Sequence, residues 1–265
     1  MKNSWNTLLF ILLGFLQGFL EWLPVSSSAQ VMILGSLLGF KLIESLEVAF
    51  SLHLASGFAA LVYLYRESRR ILFRPSPQRG KSDSPLTKLA AATLLSFAIA
   101  YPLDCLSRET LQNMSLDAAM GFIGVLLLVT GLLMSTRKVE FKNEPSLLDL
   151  LVAGIGQGFS ILPGISRSGV TFSILLLLGV EKTSALLWSY FIGIPAVIAA
   201  GLYNFLKIET YISLELILAS SLSAFFSGLA SIGIMLKVSR KVRYEYLTVS
   251  LGLLYIFSSI ILIIS

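Results

Sequence analysis

Two short segments carry polar and charged residues inside otherwise apolar sequence, and their residue types suit chemistry on a phosphate. The sharper one is Pro163-Gly164-Ile165-Ser166-Arg167-Ser168-Gly169. Gly164 and Gly169 let backbone approach a ligand closely, Ser166 and Ser168 bring hydroxyls, and Arg167 brings a planar fork of donors suited to phosphate oxygens. A helix starting after Ser168 aims its free amides at the same spot, a ready anion site. The other segment runs from Gln17 through Glu21 and Pro24 to Ser26-Ser27-Ser28 and Gln30. A carboxylate repels phosphate unless it has a task. Glu21 is therefore a candidate ligand for a divalent cation that bridges to the phosphate, or a base that takes a proton from a serine or a water. Ser27 is the best-placed hydroxyl for attack, about a turn beyond Glu21 and just past the proline. Ser26 and Ser28 either cap the following helix or join the phosphate contacts.

Other chemistry-bearing residues are few. The only histidine, His53, suits proton transfer or metal ligation. Its simplest reading is a histidine hydrogen-bonded at a wet helix end, so it ranks as a supporting candidate, as do Gln17, Gln30 and Gln157. Asp149 reads as a carboxylate at a helix N-terminus. The single cysteine, Cys105, cannot form an internal disulfide and fits no Cys/His metal spacing.

The elements that hold these residues belong to a membrane. Hydrophobic residues make up 55% of the 265 and charged residues 13%, and the mean hydropathy is +0.83. An average that high over the whole chain excludes a soluble dinucleotide-binding enzyme, a nucleic-acid binder or a secreted disulfide module. Full spans are expected at Glu47 to Tyr65, Leu86 to Leu103, Ala118 to Met134, Thr183 to Phe205, Tyr211 to Met235 and Leu247 to Ile264. The stretches 5–38 and 147–178 are each too long for one span and too short for two with a loop. Pro24 lacks a donor and forces its predecessor out of the helical basin, so the first stretch reads as two half-helices; the second breaks likewise at 163–169.

These breaks repeat. Gln17-Gly18-Phe19, Leu23-Pro24, Ser26 and Ser28 recur as Gln157-Gly158-Phe159, Leu162-Pro163, Ser166 and Ser168, offset by 140 residues with a slip to 139 at Leu-Pro. Three full spans follow each break, an odd number, so the second unit enters the membrane inverted. The expected fold is an all-α integral membrane protein of six transmembrane helices and two broken re-entrant hairpins. It forms one membrane domain over residues 1–265, with inverted repeat units of about 1–136 and 145–265.

Of the 20 basic residues, 15 fall on one side, among them the cluster from Arg66 to Lys88 and the group Lys237, Arg240, Lys241 and Arg243. By the positive-inside rule that side is cytoplasmic. Both ends of the chain are then external, Cys105 lies in an external loop, and the hairpin tips meet inside the protein. The basic stretch between Arg66 and Lys88 reads as a flexible loop from Pro75, Pro77, Gly80 and Pro85. Charges near mid-membrane are costly unless they face protein or a wet cavity, which marks Glu21 and Arg167 as site candidates. The plainer alternative is an ion pair that only pins the hairpins. The surplus of serines and glutamines argues against it, because each needs a partner in a low-dielectric site.

With those residues in place, the chain resembles the undecaprenyl-diphosphate phosphatase family, integral-membrane enzymes associated with bacitracin resistance. The resemblance spans nearly the whole chain. It rests on Gln17-Gly18-Phe19-Leu20-Glu21 leading into Leu23-Pro24-Val25-Ser26-Ser27-Ser28, and on the Pro-Gly-x-Ser-Arg-Ser-Gly-x-Thr segment from Pro163 to Thr171. It implies removal of the terminal phosphate of undecaprenyl diphosphate at the outer side of the cell membrane, which regenerates the monophosphate carrier for cell-wall polymers. It further implies dependence on a divalent cation, Mg²⁺ or Ca²⁺. The carry-over puts the essential carboxylate at Glu21, phosphate binding at Arg167, and phosphate contact or attack at Ser26, Ser27, Ser166, Ser168 and Thr171. The partners are a polyprenyl diphosphate lipid and the membrane, with no nucleic acid and a homodimer left open.

Two positions depart from the commonest pattern of that family. Gln17 stands where many members have glutamate, and Gln30 where many have a histidine thought to assist catalysis. That leaves leaving-group protonation unassigned, with His53 as the substitute to test. The sequence favours Glu21 with Ser27 or a metal-bound water as sufficient, so that loss of His53 costs less than about tenfold. The rival function is a transporter or flippase for an anionic or phosphorylated lipid, since inverted repeats with broken helices also build transport sites.

Overall fold

The computed structural model describes residues 2–72, 84–136, 141–208, 212–238 and 243–264. These form eleven helices and no strand: α1 (Lys2–Glu21), α2 (Ser27–Leu37), α3 (Leu42–Tyr63), α4 (Tyr65–Leu72), α5 (Pro85–Gln112), α6 (Leu116–Ser135), α7 (Leu147–Phe159), α8 (Arg167–Leu177), α9 (Lys182–Ile208), α10 (Leu214–Val238) and α11 (Tyr244–Ile264). Six of them, α3, α5, α6, α9, α10 and α11, are long and apolar enough to cross a membrane. Large apolar side chains such as Leu94, Leu132, Phe226 and Phe257 stay exposed on them, as lipid contact requires.

The helices pack in matched pairs. Helix α1 lies on α10 and its counterpart α7 lies on α5, while α3 pairs with α9 and α6 with α11. In the absence of a hydrophobic drive between helices in lipid, small residues allow the close approach that dispersion needs. A Cβ on Gly14 or Gly18 would overlap the backbone of Ser220 or Ala224, and one on Gly154 would overlap the Ala92 carbonyl. Both breaks are present: α1 and α2 are separated by Trp22 to Ser26, and α7 and α8 by Ser160 to Ser166, three residues earlier than expected.

Local details differ from the sequence reading. The first residues of the basic stretch are helical, in α4, where Arg66, Glu67, Arg69 and Arg70 stay exposed while Ile71 and Leu72 pack against the core. Residues 73–83, with Pro75, Pro77 and Gly80, lie outside the described residues, as do Arg240 and Lys241. Helix α5 begins on Pro85 with Ser84 Oγ accepting from the Thr87 amide at 3.1 Å, and it continues past Pro102 to Gln112. Cys105 is consequently an exposed helical residue and not part of a loop. Asp149 does cap α7: its carboxylate accepts from the Ser146 amide at 2.8 Å and from Lys142 Nζ at 2.9 Å. Burial alone would raise the Asp149 carboxyl, but hydrogen bonds from Ser146 and Lys142 outweigh it and hold it below the usual carboxylate range.

Candidate active site

The two hairpin tips meet and bind each other. Ser26 is the only described non-glycine residue with a positive φ, 56°, and Gly164 opposite it has φ 109°. The left-handed turn at Ser26 points its Oγ away from its own helix, so it caps nothing in α2 and instead accepts from the Gly164 amide at 3.0 Å. Ser168 Oγ donates to the Leu23 carbonyl at 3.0 Å, and Thr248 Oγ1 of α11 donates to Pro24 O at 2.6 Å. Helix α8 starts at Arg167, earlier than the sequence suggests, because Ser166 is its N-cap and accepts from the Gly169 amide at 3.2 Å.

Beside this junction lies a buried polar cluster. Arg167 Nη2 donates to Glu21 Oε1 at 2.9 Å, and Ser27 Oγ donates to Glu21 Oε2 at 2.6 Å. Gln17 Nε2 donates to Glu21 Oε2 and to Ser27 Oγ, both at 3.0 Å. His53 Nε2 stands 3.3 Å from Glu21 Oε2. His53 is thus a mid-helix residue of α3 that faces the carboxylate, not a histidine at a wet helix end. Hydropathy places a residue on a span but says nothing of the face it turns to.

A cavity of about 420 Å³ opens from this cluster. Glu21, Ser27, His53 and Arg167 line its polar end, with Ser26, Ser28, Ser166 and Gln157; Phe50, Phe97, Ile161, Ile165 and Val197 make apolar walls. It extends between α5 and α9 to Asp104 and Asn204. Gly164, Ser168 and Thr171 do not line it: Thr171 is fully buried and donates back to Arg167 O at 2.8 Å. Gln30 is held elsewhere, accepting from Tyr255 OH at 2.6 Å and donating to Val25 O at 3.3 Å. Gln157 donates to Ser96 Oγ and Ile192 O at 3.1 and 3.0 Å.

Several residues of the site escape a sequence reading. The Trp22 ring lies under the Arg167 guanidinium, 4.5 Å from its centroid, and Tyr190 OH donates to Trp22 O at 3.0 Å, fixing the ring's backbone. Gly193 leaves the space that Arg167 occupies; a Cβ there would overlap the guanidinium. The repeat offset points to it, since 193 is His53 shifted by 140. At the cavity mouth Arg108 bonds Asp104 and Asn204 at 2.8 Å and Glu47 at 3.2 Å, tying α3, α5 and α9.

The expected cation finds a poor fit. Among the described residues no group of three or more His, Cys, Asp or Glu side chains could hold a metal ion. Both oxygens of Glu21 are engaged, one by a guanidinium whose charge opposes a second cation nearby. Hard divalent cations need several free oxygens, and Glu21 is not a ligand in this arrangement.

A family profile described as bacitracin resistance protein BacA matches residues 10–254. The chain belongs to that family. A protein of Methanococcoides burtonii named undecaprenyl-diphosphatase is 34% identical over 258 residues, covering 92% of this chain and 95% of its own. One of the same name from Methanothrix thermoacetophila is 34% identical over 248 residues, covering 92% and 93%. A third from Thermosipho africanus is 31% identical over 253 residues, covering 93% and 98%. The chain is accordingly a multi-pass membrane protein, in agreement with its six long apolar helices.

Proposed function

We propose that this chain hydrolyses undecaprenyl or a related polyprenyl diphosphate to the monophosphate and inorganic phosphate. The observation that carries this reading is the 2.6 Å hydrogen bond from Ser27 to Glu21 in a buried cavity whose polar end also holds Arg167. A hydroxyl bonded to a carboxylate is the pairing of nucleophile and base. Ser27 Oγ attacks the terminal phosphorus, its proton passes to Glu21, and the bond to the bridging oxygen breaks to release the lipid monophosphate. Water then attacks the phosphoserine, the Ser27 oxygen leaves and takes its proton back from Glu21, and inorganic phosphate departs with the hydrogens of the water. Arg167 stabilises the charge on the phosphoryl oxygens. Arg167 Nε is buried with no protein partner, which leaves a donor for a phosphate oxygen.

A lipid diphosphate also fits the shape of the site. The cavity suits the head and the first units of the tail, and the rest of the tail leaves sideways between helices into lipid. Because Glu21 has no free oxygen, Mg²⁺ or Ca²⁺ enters this scheme as the counter-ion of the diphosphate and so as part of the substrate. By the distribution of basic residues the cavity opens to the external side of the cell membrane, both hairpins are re-entrant, and the two repeat units are inverted.

Incubation of purified protein with the lipid diphosphate in detergent tests the reading. Equal amounts of inorganic phosphate and lipid monophosphate are expected, and transfer of intact diphosphate across a vesicle membrane without phosphate release would make it a transporter instead. Adding chelator reads the need for a counter-ion. The mass of the detergent complex decides between monomer and homodimer.

A further inference from the structure

A second cavity, of about 210 Å³, lies at the opposite end of the bundle, between the last residues of α6 and α10 and the first of α9 and α11. Phe172 and Met235 form its apolar side, and Lys182, Arg243, Tyr244 and Glu245 its polar side, with Ser135 and Thr136 beside them. Arg243 Nε donates to Glu245 Oε1 at 2.9 Å, so those two charges cancel. Lys182 has no partner among the described residues and leaves the cavity one positive charge. Tyr244 is only 8% exposed, and its hydroxyl likewise has no hydrogen-bond partner among the described residues. A buried donor in that state is costly unless a bound molecule takes its hydrogen. Ser135 and Thr136 spend their hydrogens on Leu132 O and Leu133 O, both at 2.7 Å, and so offer no donor.

We infer that this cavity binds the phosphate group of an anionic membrane lipid. Its one positive charge matches the single negative charge of a phosphodiester, and Lys182 and Tyr244 supply donors to the phosphate oxygens. The cavity stands where α6 and α10 end and α11 begins, the level at which lipid phosphates lie. Leu132, Ile234 and Leu247, each within a turn of a cavity residue, are exposed apolar side chains on those three helices and offer a surface to the acyl chains. Gly233 of α10 faces Tyr63 at the end of α3, so α4 lies at the same end, and its exposed Arg66, Arg69 and Arg70 draw anionic lipid there. Occupation braces the hairpin junction from behind: one turn beyond Tyr244, Thr248 holds the Pro24 carbonyl. The inference does not depend on the phosphatase reading.

Thermal unfolding of the purified protein in neutral detergent, with phosphatidylglycerol, phosphatidylcholine or inorganic phosphate added, tests the assignment. Phosphatidylglycerol is expected to raise the midpoint of the wild type by about 4 °C or more, and the other two by less than about 1 °C. Lys182→Gln should lose most of that rise and Tyr244→Phe about half of it. Arg69→Gln, which removes an exposed charge at the same end, should keep it. No rise in the wild type, or a full rise in Lys182→Gln, overturns the inference. So does a rise lost equally in Arg69→Gln, since the effect is then a general attraction to basic surface. An equal rise with phosphatidylcholine refutes the match of charge, and an equal rise with inorganic phosphate shows that a free anion fills the cavity in place of a lipid. If Lys182→Gln fails to fold, Tyr244→Phe decides: a reduced rise supports the site and a full one refutes it.

Discussion

At the repeat offset of 140 residues, Gly14, Gln17 and Gly18 of the first hairpin match Gly154, Gln157 and Gly158 of the second, whereas Glu21 matches Ile161, Ser27 matches Arg167 and His53 matches Gly193. The glycines do the same job in both halves, letting α1 and α7 press on α10 and α5. The glutamines are both buried but serve different ends: Gln17 bonds the carboxylate and nucleophile, and Gln157 bonds Ser96 and a backbone carbonyl. Two like segments thus bring two helix starts together, and the chemistry comes from the positions at which they differ. One start presents a hydroxyl with its base; the other presents a guanidinium in space vacated by glycine.

The comparison can be broken at its unlike positions and sharpened at its like ones. Glu21→Gln removes the only base of the first hairpin and should reduce kcat by about 10³-fold or more, measured as phosphate release from protein of unchanged thermal stability. Arg167→Lys should behave almost as Arg167→Ala, each losing about 2–4 kcal/mol of transition-state stabilisation, because lysine keeps the charge and loses the fork. Near-native turnover in the lysine variant would reduce Arg167 to a structural charge. Gly14→Ala and Gly154→Ala should each lower stability in detergent by about 1–3 kcal/mol, and by similar amounts, since both press a Cβ into a neighbouring backbone.

Gly193→Ala should leave the fold as stable or more so, as alanine favours a helix. It displaces the guanidinium, so turnover should still fall by roughly tenfold, and unchanged turnover would show that the vacated space is incidental. The smallest effect belongs to Asp149. Its carboxyl is held low, so its contribution is present above the unfolded-state value and is lost as pH falls through the lower folded one. Solvent reaches Lys142, which keeps the contribution below about 1 kcal/mol. Thermal unfolding of Asp149→Asn should lose that acid dependence.

Much of the fold is legible because membrane sequence is simple where it is regular. Runs of apolar residues mark all six long helices, and proline with clustered serines marks both breaks, since polar groups in lipid are tolerated only where protein or a wet cavity satisfies them. What escapes a sequence reading depends on side-chain direction. Glu21 and Arg167 stand out as charges, but Trp22, in the first break, and Tyr190, in a span, are ordinary aromatic residues until the fold stacks one under Arg167 and ties the other to its backbone. Helix α5 extends beyond the expected end at Leu103 because Asp104 and Arg108, which look like a polar boundary, continue the helix by bonding each other at 2.8 Å. Helix α4 is charged and short, and only Ile71 and Leu72 at its end tie it to the core. The place of His53 beside Glu21 is hidden likewise: its span is visible in the sequence and its face is not.

The claim that two unlike hairpins form one hydrolytic site is tested most directly by a double-mutant cycle. Phosphate release from undecaprenyl diphosphate is measured for the wild type, Glu21→Gln, Arg167→Lys and the double variant, each verified to fold. Residues that act as a unit are not additive, so the double variant should be no slower than the slower single variant to within about threefold. Losses that multiply across the cycle would mean that the two hairpins contribute separately, and would contradict a shared site built on the Glu21–Arg167 pair.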